Sequence, residues 1–128
     1  MKRVTGIGGI FFKAKDAPAL HAWYKRHLGI DVQPWGGAAF TWTDGDDQPI
    51  AGTTAWLIAP TTSEQFAPSG ATFMVNYRVD DLLALVQVLR EEGCNVLEKV
   101  DDSEYGKFAW VMDPEGNKVE LWQPIAGQ

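Results

Sequence analysis

The order strand, helix, strand, strand, strand reads twice along this chain of 128 residues, and that repetition limits its architecture more than any other feature. In the first half, Ile10, Phe12 and Ala14 alternate with Phe11, Lys13 and Lys15, the two-residue period of a strand. Asp16 then caps a predicted helix with Pro18 in its first turn. Leu20, Trp23, Tyr24, His27 and Leu28 follow at helical spacing, and Gly29 ends the run. Strands are predicted at 30–34, 38–43 and 53–58, and a polar, proline-bearing linker at 59–70. In the second half, Phe73 to Val79 alternates, Asp80-Asp81 caps a helix carrying Leu82, Leu85, Val86 and Leu89, and Gly93 ends it. Strands are predicted at 96–99, 108–112 and 118–122. The residues support the repeat. Ala14 and Asp16 fall on Val79 and Asp81 at a shift of 65 (81 less 16), and Gly29 and Val32 fall on Gly93 and Val96 at a shift of 64 (93 less 29). One domain over 1–128 is expected, built of α+β modules at 5–58 and 71–124.

Strand periodicity also sorts the side chains by face. Ile10, Phe12 and Ala14, with Val75, Tyr77 and Val79, form apolar faces expected to lie under the helices. The opposite face carries Gly9, Phe11 and Lys13 in one module, and Met74, Asn76 and Arg78 in the other. In the last strand Val119 and Leu121 are apolar, so Lys118, Glu120 and Trp122 point the other way. With the helices outside, this second face lines a concavity that is largely apolar with a few polar groups, as small-molecule pockets are.

Net charge is -6, with a pI near 4.7, and no basic stripe is present to neutralise phosphates, so nucleic acid is not an expected partner. The single cysteine, Cys94, rules out an internal disulfide and cysteine-based zinc motifs, and its neighbours offer no cation to activate it. No stretch has the apolar length of a membrane span, and the N-terminal apolar run is too short for a signal peptide, so a cytoplasmic protein is the reading.

Three segments, "IGGIFFKAKDAPALHAWYKRHLGIDV", "FMVNYRVDDLLALVQVLREEGCNV" and "DPEGNKVELWQP", resemble the vicinal oxygen chelate superfamily of glyoxalases, bleomycin-resistance proteins and extradiol dioxygenases. The resemblance covers nearly the whole chain. It implies two βαβββ modules forming curved sheets around a cleft, and a homodimer. In metal-binding members, ligands come from the first and last strands of each module. Carried over by position, these fall on Gly9, Met74, Glu120 and a point within 53–58, a stretch without His, Asp or Glu. Glycine has no donor and a thioether is a poor one for these divalent ions, so Glu120 alone remains. His21 and His27, six residues apart on the first helix, do not share a face and supply no replacement site. No cofactor and no divalent metal are expected.

The function read from the sequence is binding of a small organic molecule, anionic or aromatic, in the cleft. Glu120 is either a general acid or base or one half of an ion pair with Arg78 or Lys13, the pair being favoured. Arg78 and Lys13 suit an anionic or carbonyl-bearing ligand, and Asn76 contacts ligand or bridges to Glu120. Six tryptophans are present; Trp110 and Trp122 are the chosen cleft walls, with Phe11 and Met74 beside them, while Trp23 is assigned to the core. Tyr105, in a polar loop with Lys107, is placed to close over a ligand. The alternatives are a lyase or isomerase using Glu120, metal-independent or with a non-standard metal site, and a non-catalytic dimeric scaffold.

Overall fold

The computed structural model describes residues 2–128. The chain forms β1 (Val4–Ala14), α1 (Ala17–Leu28), β2 (Gly37–Thr43), β3 (Pro49–Pro60), β4 (Phe73–Val79), α2 (Leu82–Glu91), β5 (Asn95–Ser103), β6 (Gly106–Met112) and β7 (Lys118–Pro124). All seven strands join one curved sheet in the order β2-β3-β1-β4-β7-β6-β5. Within each module the first strand lies parallel to the last, β1 to β3 and β4 to β7. The modules meet where β1 and β4 pair antiparallel, so both halves of the cleft come from this one chain.

The helix boundaries follow the expected chemistry. The Asp16 and Asp81 carboxylates accept hydrogen bonds from the third residue of each helix, Ala19 and Ala84. Gly29 closes α1 in a left-handed conformation that a side chain disfavours. Val79, Leu82, Leu85, Val86, Ala109 and Leu121 make the core between α2 and its half-sheet. Under α1 the packing is aromatic, with Phe12, Tyr24 and Trp56 meeting edge to face at 5.2 to 6.2 Å.

Three expectations are corrected here. Residues 30–34 do not form a strand, so the first module has two strands after its helix. Local bonds occupy this backbone: Val32 donates to the Ile30 carbonyl, Gly36 to that of Gln33, and Gln33 to that of Gly37, while Pro34 has no N–H. Trp23 is not core; it remains 49% exposed, stacked edge-on against Tyr24 and beside His27. Ile10, on the face assigned to the helices, is exposed as well.

Candidate functional site

The concave face is organised around Glu120. Sheet register puts Asn76 on β4 directly beside it on one side and Trp110 on β6 on the other. Both neighbours bond to its carboxylate: Asn76 Nδ2 donates to Oε1 at 2.6 Å, and Trp110 Nε1 donates to Oε2 at 2.8 Å. Burial pushes the Glu120 pKa up, opposed by these two hydrogen bonds and by the nearby Lys118 ammonium. The expected ion pair is therefore corrected. Neutral donors satisfy Glu120, and neither Arg78 nor Lys13 forms a salt bridge with it.

Asn76 is 2% exposed. Its other amide atom, Oδ1, is buried and has no hydrogen-bond partner among the described residues. That oxygen lies against Gly8, where any Cβ would collide with it and would also sit 2.9 Å from Trp122. Gly8 is the extra residue of a bulge, since Ile7 opposes Tyr77 and Gly9 opposes Asn76. The sequence reading missed Gly8 because strict alternation sends it to the other face.

A cavity of about 560 Å³ opens above this floor. Phe11, Trp122, Asn76, Glu120 and Tyr105, all selected from sequence, line it. So do Trp35, Phe108, Gly8, Ala39, Thr53, Ala55 and Gln128, which were not selected. Phe108 was recoverable, because it lies two residues before the selected Trp110 in a predicted strand and so shares its face; it stacks on Trp122 with planes 6° apart. Trp35 and Gln128 come from irregular segments, where periodicity carries no signal. Trp122 Nε1 also donates to the Tyr105 carbonyl at 2.8 Å, which ties the β5–β6 turn to the cleft wall.

The other selected residues lie elsewhere. Arg78 is stacked between indoles, its guanidinium carbon 4.7 Å from the Trp42 ring and 5.2 Å from that of Trp122. Its Nη1 donates to the main-chain oxygens of Thr53 and Gln128, at 3.1 and 2.7 Å. Lys13 lies over the Phe66 ring at 5.0 Å, outside the cleft. Met74 is 3% exposed and is covered by Phe66, which packs on it and on Ala59, with Phe11 and Trp110 alongside. The linker is thus a structural part of the concave face. Trp110 lines a neighbouring hollow of about 470 Å³ with Lys99, Asp101 and Lys118, and Glu120 borders both spaces.

The superfamily's metal site does not fit these residues. A Cβ on Gly9 would stand 2.6 Å from Phe11 Cζ, and one on Gly8 would meet Asn76 Oδ1, so a ligating side chain at either position would have to displace a neighbour. The Met74 position is filled in by Phe66. Among the described residues, no group of three His, Cys, Asp or Glu side chains that could hold a metal ion occurs. Nor is any helix there long and apolar enough to cross a membrane.

Comparison with solved structures finds the same fold at low identity. Methylmalonyl-CoA epimerase from Mycobacterium tuberculosis is 19% identical, covering 98% of this chain and 91% of the other, with a TM-score of 0.62. A variant of the Streptomyces coelicolor methylmalonyl-CoA epimerase in complex with 2-nitronate-propionyl-CoA is 20% identical, covering 96% and 99%, with a TM-score of 0.67. A glyoxalase/bleomycin resistance protein/dioxygenase superfamily member from Vibrio splendidus 12B01 is 14% identical, covering 91% and 97%, with a TM-score of 0.57. No curated protein matches the sequence. The profile of the glyoxalase-like domain matches residues 9–122, nearly the full length, and the chain belongs to that family.

Proposed function

We propose that this protein binds a small organic molecule in the concave cleft, without a metal ion. The observation that carries the reading is the contrast between walls and floor. The cleft is walled by Phe11, Trp35, Phe108 and Trp122, while its floor holds a carboxyl and a buried amide with an unpartnered oxygen. Apolar walls supply the driving force for binding, and a few convergent polar groups fix orientation. Tryptophan-fluorescence titration against a library of aromatic and carbonyl compounds tests this. Saturable quenching is expected, and silence across the library overturns the reading in favour of the scaffold. Metal analysis of the purified protein is expected to give well under one ion per chain, and a stoichiometric ion overturns the metal-free part.

A second reading is an isomerase or lyase in which Glu120 moves a proton. The raised pKa of Glu120 favours it, because a carboxyl that holds its proton closer to neutral pH exchanges it more readily. The fold is shared with methylmalonyl-CoA epimerases, which are isomerases. Glu120→Gln keeps the size of the group and removes its proton chemistry. On this reading it lowers turnover by about 100-fold or more while leaving ligand affinity within a few fold. Unchanged turnover removes Glu120 as acid or base. The homodimer belongs to the same proposal, and sedimentation velocity tests it. The exposed Ile7, Ile10 and Phe73 along the β1–β4 seam offer apolar surface for such contact.

A further inference from the structure

We infer that Arg78, held between Trp42 and Trp122, is a carboxylate-binding subsite at one end of the cleft, and that the segment 125–128 covers it until an aromatic carboxylate displaces it. This rests on the cleft being a binding site and names the class of ligand. Three residues in contact with Arg78, namely Thr53, Trp122 and Gln128, line the cleft, so the guanidinium lies one layer behind its wall. Both of its hydrogen bonds fall on Nη1. Nη2 and Nε make none among the described residues, and no side-chain carboxylate pairs with Arg78 there. Those two nitrogens still reach solvent, so part of the planar fork is open to a ligand, while partial burial lowers its pKa. A carboxylate answers that arrangement with two parallel bonds in the guanidinium plane. The flanking indoles fix that plane, and the apolar walls suit an aromatic body on the ligand.

The covering segment is held at Gln128 by two hydrogen bonds. Gln128 donates its N–H to the Ile125 carbonyl at 3.2 Å, and its main-chain oxygen takes the Arg78 bond. Its side-chain Oε1 is buried without a partner among the described residues. Moving Gln128 aside returns that oxygen to water, which offsets part of the cost of opening. Gly127 sets the return of the segment with φ +88, a conformation that L side chains rarely adopt.

Isothermal titration with naphthoate and with its neutral counterpart naphthamide tests the subsite in the full chain. Wild type is expected to bind naphthoate about ten-fold or more tightly than naphthamide. Arg78→Met should abolish that preference while keeping naphthamide binding, and Arg78→Lys should restore only part of it, because an ammonium lacks the fork. Gly127→Ala, which strains the covering turn, should tighten naphthoate by about five-fold. Equal affinity of the two probes for wild type overturns the subsite yet leaves the cleft standing. Binding of neither probe overturns both. Naphthoate affinity unchanged in Gly127→Ala overturns the covering role. The wild-type comparison needs no variant to fold.

Discussion

At the scale of single residues, the floor of the cleft depends on what Gly8 lacks. A methyl group there would occupy the space of Asn76 Oδ1 and crowd Trp122. Gly8→Ala is expected to destabilise the chain by about 1–3 kcal/mol through overpacking, measured by urea unfolding. It should also weaken ligand binding, because Asn76 must leave its place beside Glu120. Glu120 itself makes stability depend on pH in a defined direction. Burial raises its folded-state pKa above the ordinary value of 4.5. Over the interval between those two values the folded chain keeps a proton that the unfolded chain has released. The contribution is thus fully present below 4.5 and is lost as pH rises through the folded value. Glu120→Gln removes this slope, so its stability relative to wild type should improve over the range above pH 4.5 in parallel urea titrations. A constant difference across that range would contradict the assignment.

At the scale of elements, the linker carries the main consequence. Phe66, 1% exposed, is anchored on Met74 and Ala59 with Phe11 and Trp110 around it. Lys118 Nζ adds a bond to the Gln65 carbonyl at 2.7 Å. Phe66→Ala is expected to cost about 3–5 kcal/mol, read from the urea midpoint at constant slope. A loss below 1 kcal/mol would mean that the linker merely lies on the surface. Both helices, their aspartate caps and the strand spans 73–79 and 118–122 were legible in the sequence, because period and capping chemistry are local properties. Glu120 and Asn76 were legible as neighbours on one face for the same reason. Their mutual bond was one of the two readings of Asn76, but the second donor to Glu120 was not legible, since it depends on register. The choice of Trp110 over Arg78 as partner to Glu120 follows from β6 pairing with β7, and no local pattern encodes that. The bulge at Gly8 and the fold of the linker over Met74 were hidden for a similar reason. Both are set by the tertiary contact they serve.

At the scale of the whole molecule, the β1–β4 pairing joins the modules through the middle of one sheet rather than across a loose boundary. The halves should therefore unfold together. Far-ultraviolet circular dichroism, which follows α1 and α2, and tryptophan fluorescence, which follows the cleft, are expected to give coincident urea transitions. Separate midpoints would show that the modules are independent. The same topology has a bearing on how the protein is made. β4 finds one neighbour in β1, but the other is β7, the last strand of the chain. A nascent chain lacking Lys118–Pro124 would present β4 with an unpaired edge and β6 with another, a template for association with other chains. The cleft thus comes into being only after residues 118–124 have left the ribosome, and slow elongation before residue 118 would lengthen the period in which those edges stand open.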